Sequence, residues 1–492
     1  MGIVVRQASI AASFSYIGVI IGFINVTFLM SRWFTTEEFG LRSVLIDVSL
    51  ICTQFAQLGT YRSLVKFFPF FNKQGKNDNG LFTIGVLISL LGFTIVSLVI
   101  LLFQSQIVEF YSTKSPMFVE YFWAIFPLAF LLLYNNVLES YLQARTSTIF
   151  SAFLKDVFNR ILTTILLVLY YYNVIDFYQF IQLFIFSYVI NILLFLVHLK
   201  IRGELSLSIN PKMFTRRIRK VYINYSLFSI LSGISGVLIT KVDTIMVMTY
   251  LGLSATGVYA FSAYLSVLVF IPAIAISKIS LPILSKNWKE KRMDKIEELY
   301  KKTSVNQFLI GGGILILIWC SIDNLFALQP EEYSKGKYVL LLLGLSRVVN
   351  MLFGVNGPII NISKYYRFDT INLTILAIFT IIANSVLIPI WGIEGAAFAT
   401  LLSLTLFNIS RFLFVLIKMK IQPFSVNTVK VTFILSFSLI INSFLPQIEN
   451  VFIDTAYRSL IIMISMIIPT IALGVSEDIN RLYKIVLKKV LP

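Results

Sequence analysis

The sequence predicts an all-α polytopic membrane protein: about fourteen transmembrane helices in two pseudo-symmetric six-helix lobes, plus two C-terminal helices. Three observations carry this. The 492 residues are 57% apolar and only 13% charged, against about 25% charged in an average soluble chain, and the mean hydropathy is +0.84. Apolar runs long enough to cross a bilayer recur from end to end and leave no room for a soluble domain. The spacing of the first half of the chain returns in the second.

A spanning helix needs ~20 mostly apolar residues. By that measure spans fall near 8–30, 41–61, 80–103, 117–142, 150–171, 177–199, 222–250, 257–277, 304–326, 338–360, 370–390, 393–417, 431–446 and 457–475. The first run is too long for a signal-peptide core and lacks a clear cleavage site, so it is read as a retained helix. Cys52 and Cys320 both fall in apolar runs, which argues against a disulfide framework.

The connections place the charge. With the N-terminus in the cytoplasm, thirty of the 41 basic residues lie in inside segments and five, namely Arg32, Lys114, Lys335, Lys337 and Arg458, lie outside. That asymmetry predicts cytoplasmic termini. It also accounts for most of the net charge of +17, so the basic loops are read as topology determinants beside anionic lipid, and nucleic-acid binding is rejected. The largest cytoplasmic loop, KISLPILSKNWKEKRMDKIEELYKK, reads as an amphipathic surface helix with charge pairs.

A shift of 217 residues lays the first half on the second. Gly40, in FLMSRWFTTEEFGLRSVLI, meets Gly257, in IMVMTYLGLSATGVYAFSAYL, and each follows the first span of its half. The organisation expected is an N-terminal six-helix lobe over 1–199 and a basic cytoplasmic linker over 200–221. A C-terminal six-helix lobe over 222–420 follows, then helices 13 and 14 with a cytoplasmic tail over 421–492. Duplicated lobes are a common transporter plan, with substrate near the repeat interface. Near the end of the second repeat, NSVLIPIWGIEGAAFAT ends one span and starts the next. Pro389, Gly392 and Gly395 mark a tight hairpin, and Gly395, Ala396, Ala397 and Ala399 give the new helix a small-residue face.

Charges within spans cost roughly 2.5–3.5 kcal/mol each on insertion scales and usually face a bundle interior or a wet cavity. They are Arg42, Asp47, Glu139, Lys155, Asp156, Arg160, Lys241, Asp243, Arg347 and Arg411. Arg42, Glu139, Lys155 and Arg411 are near enough to span ends for snorkelling to compete. Asp156 and Arg160 are spaced to pair on one helix face, as a neutral structural pair or as a ligand site. Lys241 and Asp243 point to different faces, so each needs its own partner or water. Arg347 lies near the middle of its span and is the most expensive of the set. Basic residues outnumber acidic ones, so a wet cavity lined by them favours an anion.

Other chemistries lack their residues. No GxxxxGK[ST] loop is present, the single histidine, His198, stands beside Lys200 at a span end, and no outside loop could hold a catalytic domain. Neither a metal nor a cofactor is expected, and the chain is read as a transporter rather than an enzyme.

Three stretches then carry a resemblance: SRWFTTEEFGLRSVL with FAQLGTYRSLVKFFP, KVDTIMVMTYLGLSATGVYAFSAYL, and NSVLIPIWGIEGAAFAT. They are similar, respectively, to the opening "R-x-L-x-x-x-E-[FY]-G … L-G" pattern, the span-seven "D … G-x-Y" pattern and the "N … I-P-x-x-G-x-x-G-A-A-x-A-T" pattern of the polysaccharide-biosynthesis oligosaccharide flippases (Wzx-like). These belong to the multidrug/oligosaccharidyl-lipid/polysaccharide exporter superfamily. The third pattern is the most specific; the first departs at Phe34, where the family often has leucine. The likeness covers the whole chain.

The resemblance implies a V-shaped, MATE-like pair of lobes in the bacterial cytoplasmic (inner) membrane. It implies flipping of undecaprenyl-pyrophosphate-linked oligosaccharide units by alternating access, for O-antigen, capsule or exopolysaccharide assembly. A polysaccharide polymerase and a chain-length regulator are the partners it implies, besides membrane lipid. In that reading Lys241, Arg160, Arg347 and Arg42 form a cationic substrate cavity, with Lys241 foremost. Asp243, Asp47 and Asp156 are the candidates to bind a coupling ion. The alternatives are an ion-coupled small-molecule or drug antiporter of the same superfamily and a membrane glycan polymerase. The first lacks a carboxylate deep in span one, and the second lacks a long outside loop or a DxD-type site.

Overall fold

The computed structural model describes residues 2–71, 79–145, 147–205 and 215–476. Residues 206–214 of the expected basic linker, the tail 477–492, and Lys73 and Lys76 lie outside the described residues. Helices, joined by turns and short connections, make up the described chain, and no strand occurs among the described residues. In hydrocarbon a helix satisfies its own backbone groups, whereas an open sheet edge cannot.

The spans are α1 (Gly2–Ile24), which continues through a π turn at Asn25–Met30, then α2 (Thr36–Ala56), α3 (Leu81–Leu102) and α4 (Ile125–Ala144). α5 covers 148–171 and is interrupted by a second π turn at Phe153–Phe158. Next come α6 (Phe177–Ile201), α7 (Arg216–Leu251), α8 (Leu253–Lys289), α9 (Met293–Cys320) and α10 (Lys337–Leu352). α11 and α12, residues 366–391 and 393–419, are the two arms of a 54-residue run that breaks at Gly392. α13 (Val426–Ser443) and α14 (Val451–Ala472) close the series.

Eleven helices among the described residues pass a length and hydropathy test for spanning, or twelve if the bent pair Glu331–Leu352 and Asn356–Ile362 counts as one. The other two of the expected fourteen are present in different form. α5 carries three charges, Lys155, Asp156 and Arg160, within any span-length stretch and so falls outside the count, and α11 and α12 run on without a loop.

By contact the chain divides into two compact units, Met1–Ala260 and Phe261–Pro492, a division inside α8 rather than in segment 200–221. α7 belongs to the first unit because it lies along α2. The repeat and the contacts are thus different partitions of the same chain.

In the first unit, α2 is started by a reciprocal cap. Glu38 N donates to Thr35 Oγ1 at 3.2 Å and Thr35 N donates to Glu38 Oε2 at 2.8 Å, which satisfies donors that a helix start leaves open. One turn on, Gly40 meets α8. A Cβ built on Gly40 would overlap the Leu253 carbonyl oxygen, and one built on Gly257 would overlap the Thr36 carbonyl oxygen. Thr36 and Leu253 are themselves related by the 217-residue shift. The contact is therefore self-complementary, like a two-fold dimer interface within one chain. Thr36 Oγ1 and Ser254 Oγ close it at 2.8 Å.

In the second unit, α9 is central. Successive glycines at 311, 312 and 313 face Met351 of α10, Leu435 of α13 and Met466 of α14. α14 begins at Val451, so Arg458 is not in an outside loop as expected but buried in the helix. Its guanidinium donates to Asp454 at 2.7 Å, to Asn442 at 3.0 Å and to the Pro446 carbonyl at 3.0 Å. Asn324 donates to the same carboxylate at 2.6 Å, which ties α14 to the helix Ile322–Ala327.

The expected surface helix after α8 does not form as a separate element. α8 runs on to Lys289 and α9 starts at Met293, with Lys291 at φ 57° turning the chain. Extending an existing helix avoids the cost of nucleating a new one. The expected charge pairs are there, Lys295–Glu298 at 2.7 Å and Lys301–Glu297 at 2.6 Å.

Gly395 packs against the Leu387 carbonyl, while Gly392 takes φ 59°, ψ −138°, a conformation that glycine adopts without a Cβ penalty. Pro389 lies within the α11 arm just before that break.

Gly40→Ala and Gly257→Ala meet rigid backbone, so each is expected to destabilise by about 1–3 kcal/mol. Gly311→Ala meets the flexible end of Met351 and is expected to cost less. Cys52 and Cys320 are both buried, so a thiol-reactive dye reports the unfolding temperature of each variant in detergent.

Candidate functional site

α2, α4, α5 and α6 of the first unit enclose a cavity of about 340 Å³ lined by Arg42, Glu139, Lys155, Asn159, Arg160, Tyr188 and Asn191 among others. The π turn in α5 shapes it. Residues 155, 159 and 160 all reach the cavity wall, although an unbroken α-helix would put 155 and 160 on different faces. π turns are frequent at functional sites for this reason, since one extra residue re-aims the side chains around it.

Each charge has a definite environment. Lys155 Nζ donates to both oxygens of Glu139, at 3.2 and 3.1 Å. Gln143 Nε2 donates to Glu139 Oε1 at 3.4 Å and to the Tyr61 hydroxyl at 3.2 Å. Arg42 lies over Phe184, 4.7 Å from the ring centroid. Arg160 Nη1 donates to the Gly18 carbonyl at 2.6 Å, while Asp156 accepts from Ser15 at 2.6 Å. The expected Asp156–Arg160 pair is therefore absent. The wider turn between them separates the two side chains, and each bonds α1 instead.

Two of the four expected cavity cations, Arg42 and Arg160, thus share one cavity, joined by Lys155. The other two do not line it. Lys241, on α7, bonds Asp47 Oδ1 on α2 at 2.6 Å, so the foremost cation of the sequence reading is neutralised by a carboxylate assigned a separate role. Arg347 is half-buried on α10 in the second unit, its guanidinium 5.8 Å from the Phe270 ring centroid. Of the coupling candidates, Asp243 is buried and accepts from the Tyr259 hydroxyl at 3.0 Å. Asp47 is held by Lys241 and Asp156 by Ser15. Pro389, Gly392 and Gly395 belong to the α11–α12 hairpin and line no part of this cavity.

Sequence reasoning passed over two features. A search for charges ignored the mid-span amides of the cavity, Asn135 and Asn136 on α4, Asn159 on α5 and Asn191 on α6. It also left Asp369 just outside a span. In the second unit Asp369 takes a two-pronged bond from Arg411, at 2.6 and 2.8 Å, with the guanidinium 3.9 Å from the Phe407 centroid. Arg411 is thus held, half-buried, by a buried carboxylate rather than snorkelling.

Residues 29–320 match the family described as polysaccharide biosynthesis protein. The chain belongs to this family. Among its relatives is the probable flippase AglR of Haloferax volcanii, 27% identical over 218 residues, which are 42% of this chain and 44% of AglR. The capsular polysaccharide biosynthesis protein CapF of Staphylococcus aureus is 26% identical over 263 residues, 49% of this chain and 64% of CapF. The chain therefore spans 44% of the length of AglR and 64% of that of CapF, less than two thirds of either. The lipid II flippase MurJ in an inward closed conformation superposes with a TM-score of 0.73 at 14% identity, covering 94% of this chain and 98% of MurJ. An inward-facing multidrug resistance MATE transporter of the MOP superfamily gives 0.64 at 14% identity, over 84% of this chain and 98% of its own. The family member described here is accordingly a multi-pass membrane protein with the MurJ and MATE fold, and the expected fold class stands.

The Lys241–Asp47 bond has a testable energy. Breaking a fully buried pair by removing one partner costs 3–5 kcal/mol, but the lysine side chain is 32% exposed against 8% for the aspartate. Discounted for that exposure, Lys241→Gln and Asp47→Asn are each expected to cost about 1–3 kcal/mol. The double variant is expected to cost less than their sum, by roughly 0.5–3 kcal/mol, in a double-mutant cycle on unfolding temperature.

Proposed function

We propose that the protein is a flippase that moves polyprenyl-pyrophosphate-linked oligosaccharide units across the bacterial cytoplasmic membrane by alternating access. The units would serve surface polysaccharide assembly, whether O-antigen, capsule or exopolysaccharide. One observation carries the reading: Arg42, Lys155 and Arg160 converge on one cavity of the first unit with Glu139 as the only carboxylate among the described residues lining it. Three cations against one carboxylate leave an excess of two positive charges, which matches the two negative charges of a pyrophosphate diester. Membership of a polysaccharide biosynthesis family and the probable-flippase relative support the same substrate class.

The physics favours the direction. Pyrophosphate in hydrocarbon loses its hydration, and fixed guanidinium and ammonium groups replace it. Negative charge moving outward also runs down an inside-negative potential, at ~2.3 kcal/mol per charge per 100 mV. In this proposal the repeats 1–199 and 222–420 are the moving lobes, and both termini are cytoplasmic. The Lys241–Asp47 pair, between α7 and α2, is made in one state and parted in the other. Arg347 belongs to the second lobe's share of the path, and Asp243 is retained for ion coupling. A polymerase and a chain-length regulator would act on the units after export.

Arg42→Ala and Arg160→Ala are expected to leave protein abundance unchanged and to reduce glycan export at least tenfold. The measurement is the amount of completed lipid-linked units on the cytoplasmic leaflet of a deletion host complemented with each variant. Wild-type export by both variants would discard this cavity as the anion site, and an unchanged lipid-linked pool in the deletion host would discard the flippase reading.

A further inference from the structure

We infer that the neutral amides Asn136, Asn159 and Asn191 form a sugar subsite inside the cavity, which binds hydroxyls of the first sugar beyond the pyrophosphate and so selects a glycosylated lipid over its bare carrier. This rests on the proposed function, since it takes the ligand to be a lipid-linked oligosaccharide.

The four amides of the cavity differ in what they already hold. Asn135 Nδ2 donates to the Leu131 carbonyl at 2.8 Å and to the Tyr188 carbonyl at 3.3 Å. It joins α4 to α6, as polar side chains commonly do between membrane helices. Asn136, the next residue, lines the cavity and makes no hydrogen bond among the described residues. Asn191 is buried, and its Nδ2 donates to Asn159 Oδ1. That bond leaves Asn191 Oδ1 and Asn159 Nδ2 without partners among the described residues. Turned over together, the two amides would reverse their bond and still leave one oxygen and one nitrogen open.

An open acceptor beside an open donor is a poor match for pyrophosphate, whose oxygens at neutral pH only accept. It fits a hydroxyl, which donates and accepts at once, and hydroxyls are what a sugar presents. Position agrees with this. Asn159 directly precedes Arg160, and Asn136 stands three residues before Glu139, the partner of Lys155. A helical turn rises about 5.4 Å, so an anion held by these cations brings its first sugar, rather than a distal one, to the amides. Polar atoms buried without a partner are costly, and a site that keeps such atoms for a hydroxyl rejects a ligand that lacks one. The cations thus bind any pyrophosphate diester, and the amides distinguish those that carry sugar. Being neutral, they leave the cavity's excess of two positive charges unchanged.

The test offers the full chain, in detergent micelles, equal amounts of two lipids. One is the lipid-linked unit extracted from the deletion host. The other is the methyl diester of the same polyprenyl pyrophosphate, which has the same dianion and no sugar. Native mass spectrometry reads the ratio of the two bound forms from folded protein. Wild type is expected to favour the glycosylated lipid by about tenfold or more. Asn136→Ala and Asn191→Leu are each expected to cut that preference about three- to tenfold, the worth of one neutral hydrogen bond. Arg160→Ala is expected to weaken both lipids and to leave the ratio unchanged. Asn136 has no bond to lose, so its variant decides the matter should Asn191→Leu fail to fold.

Equal binding of the two lipids by wild type would overturn the inference and leave the flippase reading standing. So would a preference that survives in Asn136→Ala and in folded Asn191→Leu, since the sugar would then be read elsewhere. Folded wild type that binds neither lipid would sink the anion cavity itself, and a deletion host that accumulates no such unit would sink the flippase reading; this inference falls with either.

Discussion

An ionised side chain inside a bilayer has no bulk water to stabilise it, and this constraint orders much of what is distinctive in the molecule. Within or beside the spans, Lys241 bonds Asp47, Lys155 bonds Glu139, Arg411 bonds Asp369 and Arg458 bonds Asp454. The pairs differ in kind. Arg458 has its remaining donors on an asparagine and backbone carbonyls, so its network is closed and holds α14 in place. The Lys155–Glu139 pair opens on a cavity and has cations beside it. A closed network is structural support, and an open one has capacity left for a ligand.

The two π turns are where backbone regularity yields to those polar contacts. α1 and α5 each carry one, and the helices exchange side-chain bonds around them. Asn25 donates to the Arg160 carbonyl at 2.9 Å, Thr164 donates to Asn25 Oδ1 at 2.8 Å, and Arg160 donates to the Gly18 carbonyl at 2.6 Å. Side-chain bonds to backbone carbonyls thus tie α1 to α5 in the helical turns flanking these wider turns. The same disturbance brings Lys155, Asn159 and Arg160 to the cavity wall. Fold and site are joined at that turn.

Small residues set the approach of helices where charge does not. Gly40 and Gly257 give reciprocal backbone contact between α2 and α8. Gly311, Gly312 and Gly313 each receive a side chain from a different helix. Without a hydrophobic drive between helices in lipid, close packing of this sort supplies much of the attraction. Backbone against backbone leaves no room for adjustment, whereas a methionine thioether can swing aside, so the first contact is the stricter of the two.

The sequence by itself determined the helices, the near count of spans, the charges that needed partners and the break at Gly392. Each is local or compositional: hydropathy over ~20 residues, a charge within a run, a glycine that permits positive φ. The 217-residue shift also paired Gly40 with Gly257, because a repeat preserves spacing even when identity fades. Only the tertiary structure decided which charges meet. Lys241 and Asp47 were both visible, yet nothing along the chain joined residues 194 positions apart. Asp156 and Arg160 looked paired on regular helical spacing, and one π turn undid the pairing. Rotation of a helix about its axis is set by its neighbours, and a single extra residue in a turn re-aims every side chain that follows.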